Sequence, residues 1–170
     1  MNAKIPTTVI SGFPCIGKTT NAKIFPTIFR DLESSEYHWS KIVDAVYDGI
    51  EDSIKVPNPE WPRNYIEAIK ALSVSGMYHT VMVSSHEDIR KAMKKAKIPY
   101  TNIYPEDTPE MKNLIMDRLR KRGSSEWFIK NLEKNYSKYV KSMADDLDAT
   151  RRVALNPQTI TEWGTWCAYA

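Results

Sequence analysis

The residues best suited to chemistry lie near the amino terminus, where positions 12–19 read Gly-Phe-Pro-Cys-Ile-Gly-Lys-Thr. This stretch fits the pattern G-x-x-x-x-G-K-[ST] in full, and it follows the β-branched run Thr-Thr-Val-Ile at 7–10. Glycines at these positions let the backbone curl so that successive N–H groups point at a phosphate, and the next helix adds its positive end. We therefore predict a phosphate-binding loop for a nucleoside triphosphate. The alternative is a glycine turn in an unrelated α/β protein.

Each part of this loop has an expected task. Lys18 should reach the β- and γ-phosphates of ATP, and the Thr19 hydroxyl should ligate Mg²⁺. Cys15 occupies a position that the pattern leaves free, so it is either a simple filler or a reactive thiol near a helix N-terminus. The residues expected to contact the nucleotide here are Gly12, Pro14, Cys15, Ile16, Gly17, Lys18, Thr19 and Thr20.

The Mg²⁺ ion also needs an acidic ligand besides the Thr19 hydroxyl, and the position of that acid is unusual in this sequence. Many NTPases place an aspartate at the end of a hydrophobic strand to hold the Mg²⁺ shell, but Val81-Met82-Val83 is followed by serines and a histidine. The best candidates are Asp31 and Glu33, which follow the expected second strand and share one side of an extended segment. The alternative is a solvated acidic loop with Asp31 as a helix N-cap.

Two further groups are candidates for substrate contacts. Trp61 or Tyr65 could stack on a base and Arg63 could bind an acceptor phosphate, although the same residues suit a capping turn that covers the core edge. Polar side chains at Ser84, Ser85 and His86 follow a strand, where substrates of parallel sheets bind. For His86 the alternative is a helix N-terminal residue without a catalytic role.

Hydrophobic runs bounded by turn residues predict the elements that position these groups. Strands are expected at 7–10, 27–29, 80–83, 101–104 and 152–155, separated by helical segments. That alternation predicts an α/β fold of three layers, with about five parallel strands between helices. Helices are expected after Pro62, from about Ser85 to Pro99, and over 109–143 with a break at Gly123.

Composition limits the remaining possibilities. The 170 residues suit a single domain spanning 1–170. With 24 basic against 21 acidic residues, the net charge of +3 does not by itself indicate nucleic-acid binding, although nucleic acid stays possible. Cys15 and Cys167 form no metal spacing or disulfide framework. No signal-peptide stretch opens the chain and no run approaches the ~20 apolar residues of a membrane helix, so we expect a cytoplasmic protein without membrane contact.

Taken together, these motifs resemble a known group. The loop, the D-x-E at Asp31 and Glu33, and a later arginine-bearing helical segment resemble the small P-loop kinases of the nucleoside-monophosphate kinase and shikimate kinase superfamily. The resemblance implies that Asp31 organises Mg²⁺ or the attacking hydroxyl and that Glu33, in place of a second Asp, binds the acceptor. The patterns D-L-E-S-S, N-P-E-W-P-R-N-Y-I, V-S-S-H and I-Y-P are also similar to short phage-encoded P-loop proteins described as ATPases or nucleotide-kinase-like, which would place the chain in a host cell's cytoplasm.

The same resemblance implies two further features. A helical lid over 105–143 would close on the nucleotide, with Arg118 and Arg122 on one helical face stabilising the transferring phosphoryl group; the alternative is a charged solvent face. Asn156, after the last strand, would lie where such kinases contact adenine. The sequence thus predicts a phosphotransferase that uses ATP and Mg²⁺, acting on a nucleotide or nucleoside and possibly on a deoxynucleoside monophosphate. The alternatives are a polynucleotide or modified-base kinase and a nucleotide-binding regulator with negligible turnover.

Overall fold

The computed structural model describes the chain at residues 6–47 and 50–162. Cys167 and the first five residues, on which the expectations about disulfides and leader sequences partly depend, lie outside the described residues. The strands are β1 (Thr8–Gly12), β2 (Phe29–Asp31), β3 (Trp39–Tyr47), β4 (Ile50–Pro57), β5 (Thr80–Ser84), β6 (Thr101–Pro105) and β7 (Arg151–Leu155). The helices are α1 (Lys18–Ile24), α2 (Ser35–His38), α3 (Arg63–Ser75), α4 (Glu87–Lys95), α5 (Pro109–Lys121) and α6 (Glu126–Ala144).

A parallel sheet in the order β2-β5-β1-β6-β7 forms the centre of the described chain. Strand β1 pairs with β5 on one side and with β6 on the other, so that Ile10 lies beside Met82 and Thr101. The α/β architecture and the parallel sheet of five strands confirm the fold class predicted from the alternating pattern. Because β1 is central, the loop that follows it emerges at the middle of the sheet's carboxyl edge, where ligands of such folds bind.

Successive residues of the central strand β1 pack in two separate hydrophobic cores, one on each face of the sheet. Val9 packs in the cluster that includes Tyr65 and Ile89 of α3 and α4, whereas Ile10 packs in the cluster that includes Ile115 and Leu132 of α5 and α6. Successive side chains of a strand point to opposite faces, so one central strand contributes to both helical layers. Each fully buried aliphatic side chain contributes about 1.5–3 kcal/mol, and the two layers hold the sheet rigid behind the loop.

An antiparallel hairpin of β3 and β4 lies between α2 and α3, and the sequence did not predict it. The two strands pair from Trp39 with Pro57 to Tyr47 with Ile50, and their register shifts between Ile42 and Ala45. The hairpin forms a sheet of its own and does not extend the parallel one.

Helices α5 and α6 belong to the core layer. The predicted break occurs at Gly123, whose φ is +76°, and Ser125 caps α6 by accepting a hydrogen bond from the Phe128 N–H at 3.3 Å. Their apolar faces bury Met111, Ile115, Met116 and Leu119 of α5 and Ile129, Leu132, Tyr136, Val140 and Met143 of α6. A closing movement of all of 105–143 would expose this face, so we expect any lid movement to be confined to the turn at 121–125. Within the described parts of the chain, no helix has the length and apolar character needed to cross a bilayer.

Candidate active site at the carboxyl edge of the sheet

The loop between β1 and α1 is anchored by apolar side chains and shaped by left-handed backbone. Phe13 and Ile16 are fully buried in the core beneath it, and the Phe13 N–H donates to the Ile103 carbonyl at 3.0 Å. Gly17 has φ +107° and Cys15 has φ +60°. Positive φ at Gly17 is strained for any L side chain, which explains the glycine at this place in the pattern.

The side chain of Lys18 reaches back across the phosphate-binding loop to the residues where the loop begins. Its Nζ donates to the Gly12 carbonyl at 2.5 Å and, more weakly, to the Phe13 carbonyl at 3.4 Å. Gly12 leaves room for this side chain, because a Cβ there would lie 2.8 Å from Lys18 Cδ. Burial lowers the pKa of Lys18, while the carboxylates of Asp31 and Glu33 oppose the shift. The ammonium is thus held at the mouth of the loop, with a charge that a phosphate would further stabilise.

Thr19 and Asp31 meet beside this lysine. The Thr19 Oγ1 donates to Asp31 Oδ2 at 2.6 Å, across the gap between α1 and the end of β2. The other carboxylate oxygen, Asp31 Oδ1, is buried and has no hydrogen-bond partner among the described residues. A hydroxyl and a carboxylate with a spare oxygen are ligands that Mg²⁺ prefers, so these residues fit the predicted metal. Asp31 is not a helix N-cap, because Ser34 takes that position before α2.

One cavity of about 910 Å³ joins the loop to the other candidate groups. Its lining includes most of the residues predicted from sequence, namely Pro14, Cys15, Ile16, Gly17, Lys18, Thr19, Thr20, Asp31, Glu33, Ser84, Ser85, His86, Arg118 and Arg122. Pockets of about 300–1,000 Å³ hold small-molecule ligands. The volume is therefore suited to a nucleotide and to part of a second ligand.

Ser84, Ser85 and His86 form a polar wall of the cavity, at the end of the strand that neighbours β1. Ser84 ends β5, and His86 occupies the N-cap position of α4 without a side-chain cap hydrogen bond. Burial lowers the pKa of His86, and the positive charge of Lys18 adds to this effect, whereas Asp88 opposes it. The imidazole is therefore neutral at pH 7 and can accept a hydrogen bond or a proton.

Two arginines close the cavity from the α5 side. Arg118 Nη1 donates to the Cys15 carbonyl at 3.0 Å, which ties the helix to the phosphate loop. Arg122 Nε donates to Ser124 Oγ at 2.7 Å, and its guanidinium lies 6.0 Å from the ring centroid of Phe128. Both arginines line the cavity, and guanidinium groups bind phosphate oxygens well.

The thiol of Cys15 is not activated. Burial raises its pKa, and the positive charges of Arg122, Lys18 and Arg118 offset this only in part. A raised pKa keeps the sulfur in its less nucleophilic thiol form at neutral pH. Of the two interpretations of Cys15, the structure therefore favours a space-filling residue.

Five of the predicted contacts lie outside the lining of this cavity: Gly12, Trp61, Arg63, Tyr65 and Asn156. The Trp61 ring stacks on Tyr65 with centroids 5.5 Å apart, and Arg63 pairs with Glu60 on the surface. Asn156 uses its Oδ1 to accept N–H groups of the turn that follows β7, among them that of Thr159 at 2.8 Å. The cavity is also lined by residues that the sequence did not predict as contacts, among them Phe128, Ile160 and Thr161.

Sequence reasoning missed these three lining residues. Phe128 is the third residue of α6, directly beyond the break at 123–125, and Ile160 and Thr161 follow the last strand within a few residues of Asn156. The sequence offers one indication of these residues: Phe128 follows the predicted arginines closely, and Ile160 and Thr161 follow the predicted last strand. Phe128 and Ile160 add apolar surface to the cavity lining, and apolar surface suits the flat face of a base.

Comparison with solved structures gives a similar fold. The chain superimposes on a structure titled as a gluconokinase from Sinorhizobium meliloti 1021 with a TM-score of 0.51 and 14% sequence identity, over 98% of this chain and 92% of that one. The described sheet and helices thus share the α/β fold of that structure. No protein-family model matches the chain, and no curated protein matches it in sequence.

Proposed function

We propose that this protein transfers the γ-phosphoryl group of ATP to a small acceptor, with Mg²⁺, and that the acceptor is a nucleotide or nucleoside. The observation that carries the proposal is the contact of Thr19 Oγ1 with Asp31 Oδ2 at 2.6 Å, beside the Lys18 ammonium in a phosphate-binding loop. A glycine turn without this function would not need a hydroxyl, a carboxylate with a spare oxygen and a lysine at one point.

The donor half of the site uses groups of fixed geometry. Lys18 and the loop amides would bind the β- and γ-phosphates, and Thr19 with Asp31 would hold Mg²⁺, which supplies charge neutralisation between the phosphates when bound. Arg118 reaches the phosphate loop and would meet the charge that develops on the transferring group. The apolar surface of Phe128 and Ile160 would contact the adenine.

The acceptor half lies between the ends of β2 and β5. Glu33 would orient the acceptor, and neutral His86, which also lines the cavity, would accept a hydrogen bond from an acceptor hydroxyl. Attack by the acceptor oxygen forms the new bond to the γ-phosphorus as the bond to the β–γ bridging oxygen breaks and ADP leaves, and an acceptor hydroxyl passes its proton to His86. Catalysis would then consist mainly of positioning and charge stabilisation.

The fold comparison agrees with a kinase, since the solved structure of similar fold is named as one. The nucleotide or nucleoside class of the acceptor depends on the sequence resemblance to nucleoside-monophosphate kinases. A polyhydroxylated acid is the second candidate acceptor, because a gluconokinase shares the fold.

The test is a panel of acceptors incubated with ATP and Mg²⁺, with ADP release as the readout. Nucleosides, nucleoside monophosphates, polyhydroxylated acids and short oligonucleotides would each be assayed with the wild-type protein and with Lys18→Ala. Release that depends on a nucleoside or nucleotide and is lost in the variant supports the proposal. Tight ATP binding without release for any acceptor would instead show a regulator, and oligonucleotide phosphorylation with steep salt dependence would show a strand-binding kinase.

A further inference from the structure

The hydroxyl of Tyr65 joins the two strand ends that carry the acceptor half of the site. It donates to the Leu32 carbonyl at 2.6 Å and accepts from the Ser84 N–H at 3.1 Å. Leu32 lies between Asp31 and Glu33 in the chain, and Ser84 begins the wall formed with Ser85 and His86. The phenol oxygen therefore links the acidic loop after β2 to the polar wall after β5, one step beyond the last backbone bond between them, from the Leu32 N–H to the Met82 carbonyl at 2.9 Å.

The surroundings of Tyr65 fix this oxygen in place. The residue is 0% exposed, and its ring lies between Tyr37, 5.2 Å away, and Trp61, 5.5 Å away, measured between ring centroids. Burial raises the pKa of Tyr65, and the nearby charges of Glu33 and Asp31 add to the shift, so the hydroxyl keeps its proton and can donate. A buried aromatic ring with two side contacts has little freedom to turn its hydroxyl away.

Arg90 holds the same polar wall from behind. Its guanidinium is 4% exposed, and Nε donates to the Ser85 carbonyl at 3.2 Å. Nη1 of the same group donates to Asp146 Oδ2 at 2.6 Å and to the Ser142 carbonyl at 2.8 Å at the end of α6. Two consecutive residues of the wall, Ser84 and Ser85, are thus bound through their backbones by two buried side chains, Tyr65 and Arg90.

We propose that Tyr65 is a positioning residue for phosphoryl transfer, whose hydroxyl holds Glu33 and the Ser84–His86 wall at the separation that the acceptor needs. This inference rests on the proposed function, because it concerns the same acceptor site. Removing the hydroxyl leaves the Leu32 carbonyl and the Ser84 N–H unpaired at the ends of two strands that are already neighbours in the sheet. The loops that follow the two strands then lose the hydroxyl that bonds to both of them, although the ring still fills the core.

The experiment compares Tyr65→Phe with Tyr136→Phe. Tyr136 is a matched control, because it is 1% exposed, it also donates its hydroxyl to a backbone carbonyl, that of Glu106 at 3.0 Å, and it lies outside the cavity lining. Both variants should show a similar fall in Tm. Tyr65→Phe alone should lower kcat/KM for the acceptor by about 10-fold or more, since small misplacements at a reacting centre are costly, while the KM for ATP stays unchanged.

Each outcome decides a separate point. Equal acceptor kinetics in the two Phe variants would overturn the positioning role, even if both are less stable than wild type. An equal rise in the KM for ATP and for the acceptor in Tyr65→Phe would also overturn it, because that pattern indicates general loosening of the site. Failure of the wild-type protein to phosphorylate any acceptor would overturn the proposed function itself.

A second variant tests the polar wall. Arg90→Lys keeps the charge but loses the Nε donor to Ser85, so it should reproduce the acceptor defect if the wall is the element being positioned. Normal acceptor kinetics in that variant would contradict the proposal.

Discussion

Gly12→Ala should weaken ATP binding while leaving the fold almost intact. An added Cβ would lie 2.8 Å from Lys18 Cδ and 3.2 Å from Lys18 Cγ, and ordinary contact begins at 3.4 Å, so the lysine stem must shift by 0.6 Å (3.4 − 2.8) or more. The stem is flexible, which keeps the cost in stability small. The ammonium, however, is displaced from the mouth of the loop. Loss of one charged hydrogen bond costs about 1.5–3 kcal/mol, which corresponds to about 10- to 150-fold weaker binding.

Titration calorimetry with ATP and Mg²⁺ measures the affinity, and thermal unfolding without ligand measures stability. Gly76→Ala is the control: Gly76 ends α3 with φ +68°, remote from the cavity lining, so its variant should lose about 1–2 kcal/mol of stability from left-handed backbone strain and keep its ATP affinity. The reasoning would be refuted if Gly12→Ala bound ATP as tightly as wild type, or if it lost as much stability as the control.

Four other substitutions and one chemical modification test the remaining groups. Asp31→Asn should lower kcat and raise the Mg²⁺ concentration needed for activity, whereas Glu33→Gln should act mainly on the acceptor KM; full activity in both would show the acidic loop to be only solvated. Arg118→Ala should lower kcat by about 10³-fold with ADP binding nearly unchanged. Arg120 pairs with Asp117 on the surface, so the control variant Arg120→Ala should keep its kcat. Equal effects of the two substitutions on kcat would show that Arg118 is not part of the site. Burial raises the pKa of Cys15, so alkylation of its thiol should be slow at pH 7 and should become faster as the pH rises above the ordinary thiol range. Bound Mg²⁺ and ADP should protect the thiol. Fast alkylation at pH 7 would contradict the raised pKa.

Local pattern was sufficient for the elements that alternate cleanly. The β-branched run at 7–10, the Gly-Lys-Thr at 17–19 and the helix after Pro62 all depend on neighbours within a few residues, so the parallel sheet and the phosphate loop were predictable. The hairpin of β3 and β4 was not, because residues 39–57 mix charged and apolar positions and the register shift between Ile42 and Ala45 breaks the two-residue period. Asp48-Gly49 is a turn signal in the sequence, but without that period it does not by itself predict a hairpin.

Contacts between distant residues could not be predicted from adjacency. Trp61 and Arg63 suggested a shared site because they are near in sequence, but each has a nearer partner, Tyr65 at i+4 and Glu60 at i−3. The two buried side chains that hold the polar wall have partners 33 residues away for Tyr65 and 52 residues away for Arg90. Such pairs follow from the packing of α3 and α4 on the sheet, and a single sequence does not reveal them.

The central claim is that the protein moves the γ-phosphoryl group of ATP to an acceptor, and isotopic labelling tests it most directly. ATP labelled with ¹⁸O in the γ-phosphoryl group would be incubated with Mg²⁺ and the acceptor panel, and the products analysed by mass spectrometry. We predict that the labelled phosphoryl group appears on one acceptor class, that it requires Mg²⁺, and that Lys18→Ala abolishes its transfer without lowering the Tm of the free protein. Transfer that is equal in wild type and Lys18→Ala, or label that never leaves ATP although ATP binds, would contradict the claim.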